Sequence, residues 1–204
     1  MAFTERETWL VAAAVLIQTD IFAGAGIPAL APKHRISCGF PIGYRGSKSG
    51  KITLGQAFDP SISADGTYEI FINPILSEPL AVFSTLVHEL LHVHAGIQAG
   101  HRGAFAIAAR AVGLEGPLTA TVAGEALRIK LENVAALLGN YPHASVDPNA
   151  RKKQGTRLLK LECSDCKWVV RISAKQAARL TGHAPCPCCL SSGTLVLEGS
   201  EGAE

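Results

Sequence analysis

Between Leu86 and His92 the chain reads Leu-Val-His-Glu-Leu-Leu-His, an H-E-x-x-H pattern inside an apolar run. On a helix, positions four apart lie only about 40° apart around the axis. His88 and His92 therefore project from one face, one turn apart, within reach of a single metal ion. Glu89 stands about 100° round from His88, beside that ion and not among its ligands. Two imidazoles with a carboxylate over a metal-bound water is the arrangement of a zinc hydrolase. In that chemistry zinc acidifies the water and polarises a peptide carbonyl, and Glu89 serves as general base, passing the proton to the leaving amine. A buried helix that merely carries two histidines is the plainer reading. The helical setting and a suitable ligand downstream weigh against it.

A catalytic zinc needs three protein ligands and one open position. The candidates for the third are His94, His101, Glu115 and Glu125. His94 lies about 200° round from His92 and faces away. The metzincin pattern would place histidine at position 98, where this chain has Gln98. A thermolysin-like site would take a glutamate from a later helix, and Glu125 is the reserve for that role. His101 fits better, because Gly96 and Gly100 let the chain reverse and return an imidazole to the metal. Tyr141 and His143 are candidates for stabilising the oxyanion, though a structural role is the stronger expectation for each.

Five of the six cysteines fall after position 160. Cys163-x-x-Cys166 and Cys186-x-x-Cys189, nineteen residues apart, have the spacing of a four-cysteine ribbon around a structural zinc. Cys188 competes with Cys189 as fourth ligand, and regular spacing favours Cys189. Cys38 stands alone and reads as a buried apolar residue.

These groups need elements to position them. Thr4 followed by Glu7 is a capping-box pattern opening a helix over 5–22. Strands are expected over 36–38, 51–57 and 68–72. Gly43, Gly46 and Gly50 with Lys48 make a basic loop that lacks the P-loop order and reads as a solvated hairpin connection. Ser77 as N-cap and Pro79 in the first turn open the motif helix, which is apolar nearly all round and runs to about 95. Two more helices are expected, over about 101–112 and from Pro117 to before Gly139.

Of the 204 residues, 48 % are apolar and 18 % charged, enough for one sizeable core plus a small appendage. The expected organisation is an α+β domain over 1–148, a basic linker over 149–160 and a ribbon over 161–198. The net charge of +2 is unevenly spread. Residues 1–148 carry ten Lys/Arg against twelve Asp/Glu, 149–179 nine against two, and 180–204 none against three. The basic segment holds Arg151, Lys152, Lys153, Arg157, Lys160 and Arg171. With Trp168 as a stacking residue it suggests contact with nucleic-acid phosphates. A solvated linker, with Trp168 in the ribbon's small core, is an equal alternative. The apolar run from Trp9 to Ile17 is too short to span a bilayer, and Glu5, Arg6 and Glu7 are not the leader of a signal peptide. No membrane partner is expected, and a cytoplasmic location is.

The chain resembles the SprT-like family of zinc metallopeptidases. The likeness rests on an N-terminal helix, a short sheet, His88-Glu89-x-x-His92, a later His101-x-x-x-Phe105 and a C-terminal ribbon. It implies a zincin-like domain with a short, antiparallel-type sheet, zinc on His88, His92 and His101, and Glu89 as the catalytic group. It also implies protein substrates associated with DNA. Where the family often has glycine directly after the third histidine, this chain has Arg102. The expected function is a zinc endopeptidase. The alternative is a nucleic-acid-binding or transcription-associated zinc protein whose peptidase site is idle, against which the intact Glu89 argues.

Overall fold

A computed structural model describes residues 3–30, 33–41, 52–147, 150, 158–180, 184–189 and 194–197. The chain divides into two compact units, Met1–Pro148 and Asn149–Glu204.

The N-terminal unit is mixed α and β. Helix α1, Arg6–Leu16, continues as a π-helical segment over Ile17–Phe22. Within it the Gln18 amide donates to the Ala14 carbonyl and accepts from the Leu30 N–H, a side chain engaged with the backbone ladder where such bulges arise. The capping box is absent. The N-cap is Glu5 with no side-chain bond, and Glu7 instead accepts the Cys38 N–H at 3.3 Å, so a tertiary partner has won over the local one.

Strands β1 (His34–Cys38), β2 (Gly55–Phe58) and β3 (Tyr68–Ile72) form one sheet in the order β1-β3-β2. The sheet is not antiparallel throughout: β1 runs parallel to β3, with Ile36 opposite Ile70, and β2 antiparallel to it, with Ala57 opposite Ile70. The long connection from β1 to β2 permits this mixed arrangement.

Helix α2, Pro79–Ala95, is the centre of the unit. Pro79 takes the first helical position, and the N-cap is Glu78, not Ser77, its carboxylate accepting the Ala81 N–H at 2.8 Å. Val82, Phe83, Leu86, Val87, Leu90 and Leu91 are fully buried, so α2 hides most of its circumference against α1, the sheet and two later helices. Trp9 of α1 stacks on Phe83 at 4.7 Å, and Tyr141 tilts against Trp9 at 4.8 Å.

Helix α3 spans Ala104–Val112. The expected helix from Pro117 is not there. Residues 114–123 form a small hairpin, β4 (Leu114–Glu115) against β5 (Val122–Ala123), whose turn is closed by the Ala120 N–H on the Pro117 carbonyl at 2.8 Å. Helix α4, Glu125–Leu138, begins only after it and buries Leu127, Leu131, Val134 and Leu138. Among the described residues no helix is long and apolar enough to cross a membrane.

The described residues of the C-terminal unit form a four-stranded antiparallel sheet in the order β7-β6-β9-β8 with one short helix. Its elements are β6 (Leu159–Cys163), β7 (Val169–Ile172), α5 (Ala174–Ala177), β8 (Ala184–Pro185) and β9 (Thr194–Leu197).

Candidate metal centres

His88 and His92 stand one turn apart on α2, and the loop after it brings His101 back to them. The three Nε2 atoms form a triangle, each pair 3.2 Å apart. Nitrogens bound at about 2.05 Å with tetrahedral angles, as zinc takes them, stand about 3.3 Å apart, so the triangle fits an ion, and among the described residues no fourth ligand joins it. Burial drives the imidazole pKa of His88 down to about 4 and that of His92 to about 3, the neighbouring imidazoles adding to the effect, and lowers that of His101 as well. All three rings are neutral at neutral pH, the form that donates a lone pair to a metal.

The return of His101 depends on the glycines around it. Gly100 (φ 54°, ψ −135°) and Gly103 (φ 51°, ψ −121°) occupy backbone conformations essentially closed to residues with a Cβ. Phe105, fully buried, lies under all three rings, with centroids 5.0, 4.2 and 5.1 Å from those of His88, His92 and His101.

The hairpin that replaces the expected helix start contributes directly. Thr121 places its hydroxyl 2.8 Å from His88 Nδ1. With Nε2 committed to a metal, Nδ1 carries the hydrogen and donates to Thr121, which fixes the tautomer and the ring plane. Nothing in the local sequence marks Thr121. Its only signal is that a ligand histidine requires some acceptor behind it.

Glu89, only 6 % exposed, receives the backbone N–H of Ala57 in β2. Burial pushes its carboxyl up to about 8, against the opposing pull of that hydrogen bond. A cation next to it would draw the value back down. Strand β2 lies so close that a Cβ on Gly55 would meet Thr85 Cγ2 at 2.6 Å and Glu89 Oε1 at 2.8 Å. Glycine at 55 is thus what lets the strand backbone reach the carboxylate.

The remaining candidates lie elsewhere. Glu125 is on the surface of α4, paired with Arg128, which also binds Glu132. Glu115 rests against Gly124 at the start of α4, and His94 is outside the histidine triangle. Tyr141 packs on Trp9, where burial raises its hydroxyl pKa. His143 donates from Nε2 to the Pro74 carbonyl at 2.8 Å and turns Nδ1 toward Arg6. Both residues tie the segment after α4 to the rest of the unit. Cys38 is half-buried against the core and not fully enclosed.

In the C-terminal unit Cys163, Cys166, Cys186 and Cys189 converge, with Cys163 Sγ 3.9 Å from Cys189 Sγ and Cys166 Sγ 3.7 Å from Cys186 Sγ. Tetrahedral bonds of about 2.3 Å would set sulfurs about 3.8 Å apart. Backbone N–H groups of Asp165 and Cys188 point at Cys163 Sγ and Cys186 Sγ, both at 3.4 Å, as tight knuckles around thiolates do. Cys188 is exposed and takes no part in the cluster. Of the basic residues, Arg151, Lys152, Lys153 and Arg157 lie outside the described residues. Lys160 pairs with Glu162 at 2.8 Å and sits opposite Arg171 across β6 and β7. Trp168, 38 % exposed, is not enclosed in a ribbon core.

No family model, curated protein or solved structure matches the chain. The geometry alone supports two groups able to hold a metal ion. One is closed by four thiolates and suited to holding a fold together. The other offers three neutral imidazole nitrogens, and the residue after its first histidine, Glu89, is a buried carboxylate.

Proposed function

We propose that the N-terminal unit is a zincin-type, zinc-dependent endopeptidase of the SprT-like kind, and that the C-terminal unit is a zinc ribbon directing it to DNA-associated proteins. The observation that carries the reading is the triangle of Nε2 atoms at 3.2 Å with the Glu89 carboxylate held by the Ala57 N–H. Zinc, when bound, supplies Lewis-acid activation of water and of the scissile carbonyl. Glu89 takes the proton as water attacks the carbonyl carbon and delivers it to the nitrogen as the C–N bond breaks. The strand N–H keeps this carboxylate aimed. Thr121 holds His88 in its ligating tautomer. On the ribbon, the neighbouring cations Lys160 and Arg171 and the partly open Trp168 support contact with a single strand's phosphates and bases.

The test is Glu89→Gln in the full chain, assayed on a DNA-binding protein with and without single-stranded DNA. Two zinc ions retained and cleavage abolished is the expected result. Undiminished proteolysis by the variant would remove Glu89 from the role of base. Salt-sensitive DNA binding by the wild type with no proteolysis in either condition would favour the idle-site alternative.

A further inference from the structure

The loop that returns His101 to the metal centre also borders a cleft of about 500 Å³ beside that imidazole. One wall is the segment Gln98 to Arg102, and the other is Leu118 and Thr119 of the β4–β5 hairpin. Both walls are anchored. Leu118 packs on the hydrophobic core, and the Gln98 amide is hydrogen-bonded to Asp59 just beyond β2. Among the described residues the lining includes no carboxylate, and Arg102 is its only permanently charged side chain.

Arg102 differs from the other described arginines of its unit. Arg6 contacts Glu7 and His143, Arg35 binds Asp65 and Glu69, and Arg128 binds Glu125 and Glu132. Arg110 donates to the carbonyls of Leu114 and Gly116. The Arg102 guanidinium has no hydrogen-bond or ion-pair partner among the described residues. A planar fork of donors at the mouth of an anchored cleft, with no internal acid to satisfy it, is fitted to take a carboxylate in bidentate fashion.

The geometry points to a carboxylate-binding specificity subsite in this cleft, with Arg102 as its determinant for a substrate peptide lying across the His88–His92–His101 centre. This rests on the endopeptidase reading above. His101 and Arg102 are adjacent, and an extended peptide advances about 3.3 Å per residue. The recognised group therefore belongs to a part of the substrate near the scissile bond and not at it. An acidic side chain and a chain-terminal carboxylate share this chemistry. The walls contribute shape and the arginine contributes sign, so Arg102 discriminates between substrates without touching the reacting atoms. Because the contact is made equally before and during reaction, its effect falls on KM more than on kcat.

The experiment uses the full-length, zinc-loaded protein and a set of fluorogenic peptides identical except for Glu, Gln or Lys at the positions flanking the cleaved bond. Each is made with a free and an amidated C-terminus. The expected kcat/KM ratio of Glu to Lys peptide is up to about fivefold, the upper range for an exposed ion pair. Arg102→Gln removes the preference, Arg102→Lys keeps part of it and Arg102→Glu inverts it, each with two zinc ions bound. Sensitivity to the flanking residue assigns the acidic side chain as ligand, and sensitivity to amidation assigns the chain terminus. Cleavage with the same ratio in wild type and Arg102→Glu would overturn the proposal. So would an Arg102→Glu defect confined to DNA affinity, which would make the guanidinium a phosphate contact. Anisotropy of the Glu and Lys peptides on the zinc-loaded Glu89→Gln protein, with and without Arg102→Glu, decides the cleft independently of turnover. An absence of cleavage of every peptide by the wild type would then count against the endopeptidase reading alone.

Discussion

Replacing Thr121 by valine removes one hydroxyl and keeps the branched shape. In the folded chain that hydroxyl stands 2.8 Å from His88 Nδ1. Before metal binds, the His88 ring can answer the loss by changing tautomer, so the metal-free protein suffers little. Once Nε2 ligates a metal, Nδ1 must carry its hydrogen, and in the part-buried site that donor has lost its partner. An unsatisfied buried donor costs about 1–3 kcal/mol, and because this penalty falls on the metal-bound form it appears almost entirely as lost affinity. At about 1.4 kcal/mol per tenfold, Thr121→Val should weaken zinc binding at the histidine centre about tenfold to a hundredfold. Competition with a chromophoric chelator at neutral pH reads this site separately from the four-cysteine site, whose affinity should not move. Thr121→Ser restores the acceptor and should recover most of the loss. Equal affinity in wild type and Thr121→Val, or a serine variant as weak as the valine one, would refute the assignment of Thr121 as the partner that orients His88.

Gly55→Ala would drive a methyl group to within 2.6–2.9 Å of Thr85 and Glu89; displacing buried groups in this way costs about 1–3 kcal/mol, so thermal denaturation should shift downward and cleavage fall while metal content is kept. Cys163→Ser should take the zinc stoichiometry from two to one and unfold the C-terminal unit, whereas Cys188→Ser should leave both ions in place; elemental analysis with circular dichroism checks the pair. Arg35 holds the Asp65 and Glu69 carboxyls below their ordinary values, so the resulting stabilisation is present at neutral pH and is lost as pH falls through the depressed folded values. Urea midpoints of wild type and Arg35→Gln should therefore differ at pH 6 and converge as pH drops below about 4; a gap that widens in acid would contradict the assignment.

The two groups able to hold a metal ion were more legible in the sequence than the frame around them. Helical spacing places His88 and His92 on one face whatever surrounds them, and Gly96 and Gly100 announce a reversal that His101 can exploit. Two C-x-x-C pairs at ribbon spacing likewise leave little freedom. What stayed hidden depends on distant partners. Glu7 looks like the second half of a capping box, but its carboxylate is taken by the Cys38 N–H, thirty-one residues away. Pro117 looks like a helix start, yet two-residue strands on either side of the turn carry no periodicity to announce a hairpin. Ser77 and Glu78 are both able to cap, and only the folded geometry selects Glu78. The parallel pairing of β1 with β3 is a long-range choice, and the Ala57 N–H that holds Glu89 is a backbone group with no signature in residue type.

The β4–β5 hairpin borders both proposed binding sites, with Thr121 behind the His88 ring and Leu118 and Thr119 along the cleft. Shared support of this sort provides one element through which the two equilibria could be linked. If a peptide in the cleft draws the hairpin inward and tightens zinc by some factor, zinc must tighten that peptide by the same factor. A single ten-residue excursion would then make the histidine centre hold its metal most firmly while the cleft is filled.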